Sequence, residues 1–239
     1  MGQTAIEWTE LTWNPVTGCD KVSPGCDNCY AERLAARLQS MGNPRYSKGF
    51  EVTLHPDKLT DPLRWRTPKL VFVNSMSDLF HPGVPDSFIW SVVETVEQSP
   101  QHTFQVLTKR PQRAAQVLNG HSLPRNLWMG TSIESDRYVF RADYVRKIAT
   151  ETRFLSCEPL IGPLPSLDLT DIAWVIVGGE SGPGHRPMDV QWARDIRDRS
   201  VHAGIPFFFK QWGGHTPKAG GRELDGRTWD EMPLRAPQP

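Results

Sequence analysis

Three of the four cysteines fall within eleven residues, at Cys19, Cys26 and Cys29, whereas Cys157 stands far along the chain. A chain of 239 residues can bury a hydrophobic core without cross-links, so these thiols are not needed to hold a small fold together. In a reducing compartment a tight cysteine cluster binds metal more often than it forms disulfides. The spacing therefore predicts a metal site.

The three thiols suit two kinds of metal centre. Zinc in a closed tetrahedral site needs four ligands, so it would have to recruit Cys157 or a histidine. A [4Fe-4S] cluster held by three cysteines needs no fourth protein ligand when a substrate or cofactor takes the remaining iron. Cys29 also opens a predicted helix, whose N-terminal dipole would favour its thiolate form. A thiol oxidoreductase using Cys26 and Cys29 has the right two-residue gap but leaves Cys19 without a role.

The segments that must position these residues alternate between two types. Short apolar or aromatic runs that end in polar or glycine residues are typical of strands buried on both faces. The amphipathic segments between most of them are typical of helices. Strand and helix in alternation predict a parallel sheet. The predicted strands are 70–75, 104–109, 127–132, 154–159, 174–179 and 206–211, and the predicted helices are 86–97, 112–118, 135–148 and 189–202.

Two weaker strands, at 16–18 and 51–54, bring the number of predicted strands to eight, with helical pieces at 30–40 and 61–66 between them. Eight strand–helix units in this length predict an α/β fold of the (β/α)8 TIM-barrel type. Between Cys157 and Trp174, residues 161–171 are too proline-rich to form the helix expected there. An open doubly wound sheet is the alternative.

The predicted organisation has two parts. Residues 1–212 form the barrel with its N-terminal cysteine loop, and residues 213–239 form a C-terminal extension packed on it. Within the extension, Asp225 and Gly226 predict the two-residue turn of a hairpin.

Polar residues follow most of the predicted strands, and in a barrel these strand ends form the active-site mouth. Loops are polar in any protein, which explains single members of the set better than the whole set. Gly178 and Gly179 would let a ligand approach the backbone, or would simply make a tight turn. Lys109 and Arg110 would bind a carboxylate or phosphate, or would form a solvated turn.

The composition excludes a strong electrostatic field of one sign over the whole protein. The chain has 27 Lys and Arg against 27 Asp and Glu, with a sequence pI of about 7.1, so any binding to nucleic acid or an anionic membrane must be local. The N-terminus has no basic region followed by an apolar run, and no apolar stretch is long enough to span a membrane. We expect a soluble, cytoplasmic protein without membrane contact.

The sequence resembles the phage and bacterial three-Cys-motif family, a domain of unknown function that is regarded as radical-SAM-like. The matching segments cover nearly the whole chain in order. They are IEWTELTWNPVTGC, SPGCDNCYAERLA, FVNSMSDLFH, LTKRP, EPLIGPL, VIVGGESGPGHRPM, FFFKQWG and LDGRTWDEMP.

The resemblance implies a radical-SAM-type barrel in which Cys19, Cys26 and Cys29 hold a [4Fe-4S] cluster. The open iron would bind S-adenosylmethionine, and an external electron donor would drive its cleavage to methionine and a 5'-deoxyadenosyl radical. The chain departs from the usual radical SAM pattern, because six residues rather than three separate the first two cysteines. Asn28 also stands where an aromatic residue is usual, and Tyr30 follows the last cysteine instead.

Within that resemblance the strand ends receive roles as hypotheses. Cys157 is either a small buried strand residue or a thiol that donates a hydrogen atom to a substrate radical. The residues predicted as catalytic are Cys157, Glu158 and Lys210. Those predicted to line the cofactor are Asn74, Ser75, Ser77, Asp78, Lys109, Ser132, Glu134, Gly178, Gly179, Glu180 and Gln211.

Two functions follow as expectations. The first is a radical SAM-like iron-sulfur enzyme, whose substrate by fold-level analogy is a nucleic-acid base or a DNA lesion. The second is a non-catalytic module with a zinc or iron-sulfur site, acting with a three-Cys-motif partner protein.

Overall fold

The computed structural model describes residue 4 and residues 6–235. Over these residues strands alternate with helices, and short 3-10 turns occupy several connections. The strands are β1 (Leu11–Trp13), β2 (Val16–Thr17), β3 (Thr53–Leu54), β4 (Leu70–Val73), β5 (Thr103–Thr108), β6 (Leu127–Ser132), β7 (Arg153–Cys157), β8 (Trp174–Gly178) and β9 (Phe207–Gln211). The α-helices are α1 (Tyr30–Ser40), α2 (Asp86–Glu97), α3 (Pro111–Val117), α4 (Arg141–Arg146) and α5 (Val190–His202).

Seven of these strands form one parallel sheet in the order β1-β4-β5-β6-β7-β8-β9. The sheet is curled, because Trp8 packs against both Phe72 of β4 and Trp174 of β8, at ring-centroid distances of 4.7 Å and 6.1 Å. In a flat sheet, strands four positions apart would lie about 19 Å from each other. The described residues therefore form a mixed α/β half-barrel.

A closed eight-stranded barrel is not formed by residues 6–235, because β1 and β9 lie at opposite edges of the sheet. The outer edge of β9 is occupied by the C-terminal segment, where the Phe209 N–H donates to the Trp229 carbonyl at 2.9 Å. The strands predicted at 16–18 and 51–54 pair with each other as antiparallel β2 and β3, outside the main sheet. The expected barrel is thus corrected to a half-barrel with a separate two-stranded ribbon.

The first strand of the sheet was not predicted. β1 has only three residues and pairs in parallel with β4 through Thr12 and its two neighbours. So short an apolar–polar alternation carries little signal in a sequence. The described residues between β7 and β8 contain no helix, as the proline-rich stretch predicted.

Alternate side chains of each strand face opposite sides of the sheet. The convex side packs against helices, as where Val175 and Val177 of β8 meet Ile196 of α5. The concave side buries mainly aromatic residues, including Phe154 and Phe208, around Trp8. These aromatic residues lie in the first half of their strands, so they fill the amino-terminal part of the concave face. The carboxyl end is left for polar side chains.

The segment after β9 packs on the sheet through Trp229, whose ring lies 5.6 Å from that of Phe207. Asp225 and Gly226 both have positive φ, 54° and 77°, and Leu224 forms a bridge with Arg227 across them. This is the predicted hairpin turn, since two-residue turns of this type need positive φ at both positions. Across the described part of the chain, the helices are too short or too polar to cross a bilayer.

Candidate metal and cofactor site

Three residues from neighbouring strands meet at the carboxyl end of the concave face. Lys210, on β9, donates a hydrogen bond from Nζ to Oε1 of Glu158, which follows β7. Gly178 ends β8 beside them, and a Cβ built there would lie 3.3 Å from Glu158 Cδ and 3.4 Å from Lys210 Cβ. The small glycine therefore leaves room for an ion pair at the mouth of the half-barrel.

Cys157 precedes Glu158 in sequence but lies on the opposite face of the sheet. Its side chain is 0% exposed and belongs to the convex-side core with Val175, Val177 and Ile196. Burial raises the pKa of this thiol to about 12. Cys157 is therefore a packed strand residue. Because it lies apart from the other three cysteines, it is not placed to act as a fourth zinc ligand.

The other three cysteines lie on one loop, and each is partly exposed. Cys19 follows Gly18, whose N–H donates to the Met76 carbonyl at 3.0 Å and so fixes the loop beside the exit of β4. Cys26 ends a 3-10 turn, and Cys29 is the residue that precedes α1. The loop therefore starts at β2 and ends at the first turn of α1.

The thiol of Cys19 lies between opposite charges. Burial and the nearby Asp78 carboxylate raise its pKa to about 11, although the Arg110 guanidinium, 3.7 Å from Sγ, acts in the other direction. Cys19 is consequently a neutral thiol at physiological pH. Metal binding at this position requires loss of a proton.

Thiols are the ligands that iron-sulfur clusters and zinc both accept, so the chemistry of the loop fits a metal centre. Within residues 6–235, no group of three or more His, Cys, Asp or Glu side chains is close enough to hold a single metal ion. In a cubane cluster each cysteine binds a different iron atom, so its three thiolates need not surround one point. The donor set thus fits a cluster through Cys19, Cys26 and Cys29.

The loop after β4 ties the first part of the chain to the sheet. Asn74 has a φ of 59° and accepts the Val16 N–H on Oδ1 at 3.2 Å, while Ser77 donates to the Val16 carbonyl at 2.9 Å. Ser75 donates to Oδ1 of Asn14 at 3.2 Å. These three predicted cofactor residues therefore hold loops together, and Nδ2 of Asn74 remains buried without a partner.

Asp78 organises the exit of β5. Its Oδ1 accepts from the Thr108 hydroxyl at 2.7 Å and the Phe80 N–H at 3.0 Å, and its Oδ2 accepts from the Lys109 N–H at 3.0 Å. These donors all belong to the protein, and they hold the carboxylate in place at the end of β5. Among the described residues, the Lys109 ammonium has no hydrogen bond or ion pair, which leaves it free for an anionic group.

Glu134 is a buried carboxylate beside the cysteine loop. Arg141 pairs with its Oε2 at 2.8 Å and also donates to the Ser132 carbonyl at 2.9 Å. Oε1 is buried and has no partner. Gly25 of the loop covers this side chain so closely that a Cβ there would lie 3.1 Å from Glu134 Cδ. The structure therefore brings an unsatisfied acceptor against the thiol-bearing loop.

The exit of β8 is built by close backbone approach. A Cβ on Gly179 would lie 2.0 Å from the Trp212 carbonyl oxygen, so only glycine fits there. Gln211 donates to the Gly179 carbonyl at 3.2 Å and to the Ser181 hydroxyl at 2.6 Å. Gly179 and Gln211 thus shape the loop that carries Glu180.

Two residues that contact Glu180 were not selected from the sequence. Arg186 forms a salt bridge with it at 2.5 Å, and Asn28, between the second and third cysteines, donates to it at 2.8 Å. Asn28 and Glu180 are 152 residues apart, so no local pattern could have paired them. A charged residue six positions after Glu180 was the only available sign of Arg186.

A family model described as "Protein of unknown function (DUF5131)" matches residues 3–233. The chain belongs to this family, which agrees with the predicted membership in a domain family of unknown function. No curated protein matches the chain.

Solved structures of spore photoproduct lyase are similar at a low level. A complex with dinucleoside spore photoproduct shares 16% identity at a TM-score of 0.44, covering 78% of this chain and 59% of the lyase. A single-residue mutant reaches a TM-score of 0.48 at 16% identity, covering 81% and 61%. A double mutant with bound AdoMet and dinucleoside spore photoproduct has a TM-score of 0.41 at 15% identity, covering 80% and 60%. The chain spans about three-fifths of the length of these lyases.

Proposed function

We propose that the chain is a radical-SAM-type iron-sulfur enzyme, with a [4Fe-4S] cluster on Cys19, Cys26 and Cys29. One observation carries the proposal. The loop that bears three thiols lies against the mouth of a half-barrel, where Oε1 of Glu134 is buried without a partner directly under Gly25. An unsatisfied buried acceptor is costly unless a ligand completes it. The cluster would supply one electron, replenished by an external donor, to cleave S-adenosylmethionine into methionine and a 5'-deoxyadenosyl radical.

The residues at the mouth divide by charge. Glu134 offers an acceptor for an ammonium group, and the unpaired Lys109 offers a cation for a carboxylate, the two charged groups of a methionyl moiety. Glu158 and Lys210 form an ion pair that faces the same opening and would contact cofactor or substrate. The other predicted cofactor residues position the loops that surround this opening.

Metal analysis after anaerobic purification and reconstitution tests the proposal. About four irons with matching sulfide per chain are expected, together with 5'-deoxyadenosine on addition of dithionite and S-adenosylmethionine. Cys26→Ala should abolish both, whereas Cys157→Ala is the matched control and should retain both. Zinc without iron in the wild-type chain would overturn the proposal and favour a non-catalytic metal-binding module.

A nucleic-acid base or DNA lesion is the proposed substrate class. The balanced net charge requires that such contact be local. Electrophoretic mobility shift with lesion-bearing DNA, at low and moderate salt, should show binding that weakens with salt. Absence of binding at every salt concentration would contradict this substrate class.

A further inference from the structure

We propose that Glu180 and Arg186 act as positioning residues that clamp the Cys26–Cys29 segment, instead of binding the cofactor directly. The inference deepens the proposed function, because the clamped segment is the one expected to hold the cluster. It also concerns the metal-free chain, so it can be tested without any cofactor.

The clamp holds both residues between the second and third cysteines. Arg186 lies 3.3 Å from the carboxylate of Asp27, and Glu180 accepts from Nδ2 of Asn28 at 2.8 Å. Arg186 also donates to the carbonyl of Pro24, two residues before Cys26, at 2.7 Å. The chain is therefore attached to the loop after β8 on both sides of Cys26, through the Pro24 carbonyl before it and the side chains of Asp27 and Asn28 after it.

Glu180 is fully engaged by these contacts. Oε1 accepts from Arg186 Nη2 at 2.5 Å, and Oε2 accepts from Arg186 Nε at 3.0 Å, from the Arg186 N–H at 2.9 Å and from Asn28. Its side chain is only 4% exposed. Burial alone would raise the pKa of Glu180, but the hydrogen bonds from Arg186 and Asn28 hold it below its ordinary value. A carboxylate with this many donors has little capacity left for a ligand.

The loop that carries the clamp is itself anchored. The Gly214 N–H donates to the Glu180 carbonyl at 3.0 Å, and the Gly182 N–H donates to the Gly214 carbonyl at 2.8 Å. Arg33 of α1 donates to the Ser181 carbonyl at 2.9 Å. The clamp thus connects the cysteine loop, the first helix and the end of the sheet as one unit.

Arg186→Gln is the decisive variant, because glutamine cannot bridge Glu180, Asp27 and the Pro24 carbonyl together. Alkylation of each cysteine in the metal-free protein would be followed by mass spectrometry. We expect Cys26 and Cys29 to react about threefold faster or more, since local opening of the loop exposes them. Arg194→Gln is the matched control, because Arg194, on α5, pairs with Asp225 of the C-terminal hairpin turn and not with the cysteine loop.

Glu180→Gln should act in the same direction, and the double variant should cost little more than either single change, because the two residues form one unit. Reconstituted protein should lose iron to a chelator about 10- to 100-fold faster in Arg186→Gln, the range found when residues that orient metal ligands are replaced. If the Gln variant does not fold, Arg186→Lys replaces it, since an ammonium can keep Glu180 but lacks the fork that reaches Asp27.

Two failures would be distinguishable. Equal alkylation of Cys26 and Cys29 in wild type and Arg186→Gln would overturn the clamp while leaving the proposed enzyme intact. If Arg186→Gln is alkylated faster but reconstituted wild-type protein takes up no iron, the clamp is supported and the iron-sulfur function is overturned.

Discussion

The two ends of the cysteine loop are held in different ways. At the first end, Gly18 and Cys19 are fixed by backbone hydrogen bonds to Met76 and Phe50, at 3.0 Å and 3.2 Å. At the other end, the Cys26–Cys29 segment is held mainly by the side chains of the loop after β8. Backbone contacts belong to the fold itself, whereas the second attachment depends on two side chains, the partly exposed Arg186 and the buried Glu180. Breaking the first attachment should therefore cost stability, and breaking the second should mainly loosen the site.

Gly18→Ala should produce the largest effect. Gly18 has a φ of +86°, and a Cβ there would lie 2.2 Å from the Glu51 carbonyl oxygen, so the backbone itself must move. We expect a loss of about 3 kcal/mol or more in unfolding free energy, measured by urea denaturation.

Gly42→Ala is the matched control for this change. Gly42 also has a positive φ, +71°, but a Cβ there meets nothing within 4 Å. Its cost should be about 1 kcal/mol, that of the left-handed conformation alone. Equal losses in the two variants would show that the close approach of the Glu51 carbonyl to Gly18 does not constrain the first end of the loop.

The strands were easier to predict than the site. β4 to β9 begin within one residue of their predicted starts, because strands buried on both faces form continuous apolar runs. A continuous apolar run does not show which face of the sheet each residue occupies. The sequence therefore could not show that Cys157 and Glu158 lie on opposite faces. The pairing of β2 with β3 places Val16 opposite Leu54, 38 residues further along the chain, and two-residue strands specify no partner.

The polar residues that follow the predicted strands located the mouth of the half-barrel but not the contacts within it. Polar residues after an apolar run are visible in sequence, and Glu158 and Lys210 do meet in the structure. What sequence could not show is which carboxylates are already satisfied. Asp78 and Glu180 were predicted to line the cofactor, yet both carry several protein donors, while Glu134 retains an unpartnered oxygen.

Cys157→Ala should produce an intermediate effect and sharpens the contrast between core and loop thiols. Removing a buried sulfur should cost about 1 to 2 kcal/mol of unfolding free energy at neutral pH. Because folding raises the pKa of Cys157, the neutral thiol contributes its full stabilisation below pH 9.0, the ordinary pKa of a cysteine. This contribution is lost as the pH rises towards about 12, the pKa in the folded protein. The difference between wild type and variant should therefore shrink above pH 9.0.

Thiol titration provides the check for Cys157. Native wild-type protein should react with a thiol reagent at the three loop cysteines only, and the Ala variant should give the same count. A fourth reactive thiol in the native wild type would contradict the packed position and return Cys157 to the list of candidate hydrogen donors.

Arg110→Gln should give the smallest effect, confined to the first end of the loop. Below its pKa of about 11, Cys19 reacts through a small thiolate fraction that rises about tenfold per pH unit. Removing the guanidinium 3.7 Å from Sγ takes away the charge that favours the thiolate, so alkylation of Cys19 at pH 9 should slow by about threefold. Asp78→Asn should accelerate it, because the carboxylate acts in the opposite sense. Cys26 and Cys29 should keep their alkylation rates in both variants, since their segment is attached to the other end of the sheet. A parallel change in rate at all three cysteines would mean that the loop moves as one body and that the two attachments are not independent.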